Sequence, residues 1–208
     1  MTGGPQGQVT QGENNMANAS TTGFGFRPIK KIGQNYNNAG LSEYSIASGS
    51  ALISHACMVQ LTANGVVLAS GNTDENNLGV LNGSFYTDNS TSKPTFSNFW
   101  PDSTVASDAV AFVNDDPMQM YEVMSADTAF NQNEVGHCAD QVNDVGVTPL
   151  FVSKSKISAT TANTKAQLFI IGVSRDPDHS DTTVEGFALR VQIREHILIG
   201  NDTARAGV

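Results

Sequence analysis

Charge is sparse in this chain. Asp, Glu, Lys and Arg make up only 15% of its 208 residues, where about a quarter is ordinary for a folded protein. What charge there is leans one way, 20 Asp and Glu against 11 Lys and Arg, for a net −9. Nucleic-acid binding draws most of its affinity from Lys and Arg neutralising phosphates, so this composition argues against a nucleic-acid partner. Cysteine is nearly missing, with only Cys57 and Cys138 and no CxxC or zinc-type spacing. His55 in "SHACM" and His137 in "GHC" could complete a tetrahedral set with them. Unpaired cysteine is, however, among the most frequently buried residue types, so no metal, disulfide or cofactor is expected.

Long apolar runs are absent as well. No stretch approaches the roughly 20 residues of a membrane span, and "MTGGPQGQVTQGENN" has neither a basic nor an apolar leader region. The expectation is synthesis in the cytoplasm without a lipid anchor. Helical periodicity is lacking too; only "TAFNQNEVGHCADQVNDVG" (128–146) offers a helical turn or two. Catalytic signatures are likewise not found. There is no G-x-S-x-G, no GxGxxG, no GxxxxGK and no HExxH, and the chain reads as a non-enzyme.

What is present is Asn, Thr, Ser and Gly, punctuating short β-branched or alternating runs. "ALISHACMVQLTANGVVLAS" predicts a hairpin with its turn at Asn64-Gly65. "NNLGVLNGSFYTD" (76–88) reads as a short strand pair with a glycine break. "AVAFV", "MQMYEVM", "TPLFVSKSKI" and "AQLFIIGVSR" read as further strands. In "EGFALRVQIREHILI", Phe187, Leu189, Val191 and Ile193 alternate with Ala188, Arg190, Gln192 and Arg194, the period-two mark of a strand with one wet face. Met118, Met120 and Met124 share a strand face as core filling. The fold class is all-β, a small barrel or a sandwich, over residues 50–208.

Ahead of it, residues 1–49 read as an extended Gly/Asn-rich N-terminal arm. Its first 22 residues have little to bury. The next stretch carries Phe24, Phe26, Ile29, Ile32, Tyr36, Leu41, Tyr44 and Ile46 without regular spacing. The partner-binding candidates are Phe24, Phe26, Ile29 and Tyr36, with the basic trio Arg27, Lys30 and Lys31 beside them. Phe96, Phe99 and Trp100, in the loop "NSTSKPTFSNFWPDS", form a second set, for which packing within the domain is the stronger reading. On this view the domain folds without residues 1–49.

Three polar clusters compete for a functional role. Asp115-Asp116 sits in "VAFVNDDPMQMYEVM", where Pro117 forces Asp116 out of the α region; a turn between strands is the stronger reading, a catalytic pair the weaker. "DPDHSD" (176–181) has calcium-like oxygens but lacks the central Gly and closing Glu of a calcium loop, so a solvated loop is preferred. Glu195-His196 reads as structural.

Several stretches taken together, "TGFGFRPIKKIGQNYNNAGLSEYSIA", "NNLGVLNGSFYTDNSTSKPTFSNFWP", "VAFVNDDPMQMYEVMSAD", "LFIIGVSRDPD" and "RVQIREHIL", resemble a group of small head-associated virion proteins of tailed bacteriophages, over roughly residues 17–200. Residues 1–16 lie ahead of the match. The resemblance implies a decoration, or cement, protein on the capsid exterior. It would bind the major capsid protein as a dimer or trimer and stabilise the head, with no membrane partner. Alternatives are a head-fibre base or tail component, or a carbohydrate- or calcium-binding β-domain.

Overall fold

The computed structural model describes residues 18–34, 40–71, 77–146, 149–158 and 166–199. Twelve strands build it: β1 (Arg27–Lys31), β2 (Ser42–Ser45), β3 (Met58–Thr62), β4 (Gly65–Leu68), β5 (Asn77–Asp88), β6 (Lys93–Ser97), β7 (Val110–Asn114), β8 (Gln119–Met124), β9 (Cys138–Val142), β10 (Lys156–Ser158), β11 (Leu168–Val173) and β12 (Ala188–Ile193). One sheet runs β1-β8-β12-β11-β9-β10; the other runs β2-β7-β5-β3-β4, with β6 on the remaining edge of β5. Every ladder is antiparallel. The second sheet curls until Ile46 bridges Val66, but that contact does not continue as a ladder. Of the two expected architectures, the result is therefore a sandwich and not a barrel.

Two cores follow from strand alternation. Tyr121, Val123, Leu189, Val191, Ile193, Leu168 and Ile170 point from the first sheet onto Phe26, Met58 and Val80. Val59, Leu78, Leu81, Tyr86, Ala111 and Val113 point from the other face of the second sheet onto Ile46, Ile53 and Trp100. The alternation expected of β12 is observed from Leu189 onward, with Phe187, Leu189, Val191 and Ile193 all buried, but Ala188, expected on the wet face, is buried as well. The helical turn expected within 128–146 is a single 3₁₀ turn at Gln132–Glu134.

Several expectations are corrected. Residues 27–31 and 42–45 are not a detached arm. β1 pairs with β8 on the edge of the first sheet and β2 with β7 on the edge of the second. Between Asn18 and Phe26 the chain docks on the 176–186 loop: Ala19 N–H donates to Asp178 O at 2.8 Å, and the Asn18 amide donates to Asp181 O at 2.8 Å. A domain beginning at residue 50 would lose both edge strands. The sequence pattern missed this because β1 and β2 are only five and four residues long, too short to display a period.

Residues 77–88 form one twelve-residue strand rather than a pair. The glycine break is a register shift between Leu81 and Gly83, so the strand bends instead of ending. The hairpin at 58–68 turns on Ala63-Asn64, since Thr62 pairs with Gly65. Only Gly65 takes positive φ, at +117°, and a Cβ there would sit 2.6 Å from Ser45 O. Of the described residues in the run 148–157, only Lys156 and Ile157 are in a strand. Met120 and Met124 are core, but Met118 is 45% exposed because it lies in the turn before β8.

Candidate docking face

The Asp115-Asp116 pair occupies a turn, closed by Gln119 N–H on Asp116 O at 3.0 Å. The turn is not a hairpin corner. β7 belongs to the second sheet and β8 to the first, so the chain crosses between sheets here. Each carboxylate holds one sheet's edge strand. Asp115 accepts from Ser42 Oγ at 2.9 Å and Tyr44 Oη at 2.6 Å, both on β2. Asp116 accepts from Met118 N–H at 2.8 Å and meets Lys31 Nζ, at the end of β1, at 2.5 Å. Burial, and then donation to Asp115, push the Tyr44 phenol up to about 12. Burial alone would raise Asp116, but the Lys31 bond and charge and the Met118 N–H outweigh it and hold the carboxyl below its ordinary range. His196 is buried and its basicity falls through desolvation, against the opposing charges of Asp115 and Asp116. With both carboxylates engaged by the edge strands, this cluster is a clasp between sheets.

The carboxylates of the 176–181 loop are engaged by its own backbone at the surface, whereas His179 and Glu195 are buried. Asp176 Oδ1 accepts from Asp178 N–H at 3.1 Å, and Asp181 Oδ1 accepts from Thr183 N–H at 2.9 Å. His179 is buried on Gly186 O at 2.8 Å. Glu195 is 2% exposed and lies 3.7 Å from Arg194. Cys57 and Cys138 are unbonded thiols. Among the described residues no three His, Cys, Asp or Glu side chains form a metal-holding group, and no helix is long and apolar enough to cross a membrane.

Of the expected contact residues, Phe26 and Trp100 are excluded from any surface, each 0% exposed. Phe26 packs edge-on against Tyr121, with centroids 6.4 Å apart; Trp100 packs on Tyr86 at 5.2 Å. Phe24 is half-buried against His179, with the Arg27 guanidinium 3.5 Å above its ring. Arg27 also faces Glu122 at 3.9 Å. Ile29 and Lys30 are half-buried on β1, and Tyr36 lies outside the described residues. The basic trio is thus largely consumed within the molecule. Phe99 is half-buried and stacks on Phe151 at 3.9 Å.

Phe96 behaves differently. It is 76% exposed and sits on edge strand β6 rather than in a loop. Its ring lies 4.7 Å from Phe85 on β5 and 6.5 Å from Phe112 on β7, the latter within 14° of parallel. The register explains the grouping. Phe96 pairs with Phe85, and Phe112 pairs with Gly83, which puts no side chain between the rings. Tyr86, Ala111 and Val113 point into the second core, so their neighbours Phe85 and Phe112 must point the other way. Val80 on that face is buried under the first sheet; further along the sheet Phe85 and Phe112 are half-buried, and Phe96 stands exposed. Leu41, 46% exposed, and Glu43 extend the face, Glu43 directly opposite Phe112. Beside it the sheets part around a cleft of about 340 Å³ whose lining includes Phe26, Arg27, Leu41, His55, Val80 and Asn82.

The edge itself is guarded. β6 carries Pro94 opposite Thr87 and Lys93 opposite Asp88, and proline and lysine on an edge discourage strand addition. What β6 offers a partner is therefore side chains, not backbone. Phe85, Phe112 and Glu43 escaped the sequence reading. One signal existed: adjacent Phe85 and Tyr86 on a strand must face opposite ways, so one aromatic needs cover from elsewhere. No protein family, curated protein or solved structure matches the chain.

Proposed function

We propose that this chain is a non-catalytic structural component of a tailed-phage head, a decoration protein that docks on the major capsid protein at the capsid exterior. The observation that carries the docking is Phe96, 76% exposed on edge strand β6 and backed by the half-buried rings of Phe85 and Phe112. An exposed aromatic backed by further rings marks an interaction site. The assignment to a phage head is supported by the sequence resemblance over residues 17–200.

The mode differs from the one the sequence suggested. Docking by the arm's anchors would require Phe26 to be free, and it is core. A preformed face has the advantage that little ordering entropy is lost on binding. Many copies on a symmetric lattice, as dimers or trimers, make weak contacts effective through multivalency. The test is co-sedimentation of purified protein with undecorated shells of the cognate capsid protein. Wild type pellets with the shells and Phe96→Ser does not; if both pellet equally, or neither does, the proposal falls.

A further inference from the structure

Glu43 stands beside the ladder with no ion pair or hydrogen bond among the described residues. Its neighbour across the strand pair is Phe112, whose ring lies nearly parallel to Phe96 over the bare position of Gly83. Phenylalanine faces are electron-rich and attract cations. An unpaired carboxylate opposite Phe112, in a chain of net charge −9, biases this face toward cations, since Arg27 in the lining of the adjoining cleft is drawn to Glu122 and the Phe24 ring. A second copy docked face to face with Glu43 at the two-fold axis would bring the two carboxylates together. A neutral apolar side chain would leave Glu43 desolvated without a partner.

We infer that the Phe85–Phe96–Phe112 ladder with Glu43 receives a cationic side chain, arginine or lysine, from the protein partner. This rests on the docking reading above and names its chemistry. The cation lies against the rings while its charge meets the Glu43 carboxylate. Because the site is open, the attraction is screened by salt, and a single site is weak.

The test titrates isotope-labelled protein with N-acetyl-arginine methylamide or N-acetyl-leucine methylamide at low ionic strength, reading the phenylalanine ring resonances. The arginine probe shifts all three rings saturably; in Glu43→Gln it binds roughly two- to fivefold more weakly, and in Phe96→Ala the shifts vanish. The leucine probe shifts none of them. Equal response to leucine, no saturable response to arginine, or unchanged binding in Glu43→Gln overturns the inference. Shell co-sedimentation separates the two claims. If Phe96→Ser abolishes pelleting while Glu43→Gln pellets fully at every salt concentration, docking stands and the cation site falls. If arginine binds but no shell does, the cation site stands and the head assignment falls.

Discussion

Replacing Phe26 by alanine tests whether the N-terminal segment is part of the folded body. Phe26 is 0% exposed, lies edge-on to Tyr121 at 6.4 Å, and its N–H donates to Ala56 O at 2.9 Å. The backbone bond survives the substitution, so the loss is side-chain burial plus the cavity left among Met58, Val80 and Tyr121. Buried Phe→Ala changes cost about 3–5 kcal/mol. Urea slopes for domains of this kind run at about 1–3 kcal/mol per molar, so the midpoint drops by roughly 2 M. Trp100, the only tryptophan, is buried in the other core, and its fluorescence reports whether both cores melt together. One cooperative transition with the lowered midpoint is expected. A loss below about 1 kcal/mol, with the transition otherwise intact, would mean that Phe26 is not packed where the structure places it.

Four further outcomes are expected. Deleting residues 1–49 removes the edge strands β1 and β2 and abolishes cooperative unfolding, seen as loss of the Trp100 transition. Phe96→Ser leaves stability within about 0.5 kcal/mol while ending shell binding, which separates surface from core. Asn77 is fully buried and neither amide atom has a hydrogen-bonding partner among the described residues; Asn77→Leu therefore raises the urea midpoint, by about 1 kcal/mol in stability, and a lowered midpoint would contradict this. Asp116 has a depressed folded-state pKa, so its contribution is present above its ordinary value of about 3.9 and is lost as pH falls through the lower folded value. Asp116→Asn removes that share of the acid dependence, about 1 kcal/mol or less for a partly exposed pair, measured as unfolding midpoints between neutral and acid pH.

Strand content was legible where runs were long enough to show alternation. Leu189, Val191 and Ile193 announce a face from sequence alone, and Pro117 announces a turn. Sheet membership was not legible. Nothing in "NDDP" says that β7 and β8 part company, because a turn between sheets uses the same residues as a turn within one. The segment 23–46 misled because its apolar residues are spaced by the needs of two different cores, Phe26 serving one and Ile46 the other. The docking face was half legible. Phe96 stood among the candidates, but its companions are supplied by β5 and β7 through register. Pairing of residues so far apart in sequence is a property of the folded sheet and not of any local window.

The most direct measurement is imaging of undecorated cognate shells mixed with this protein. The account predicts added density at regular lattice positions, with the Phe85–Phe96–Phe112 face turned to the shell and Glu43 against a basic side chain. Shells that stay bare, or density in which that face points to solvent, would contradict it.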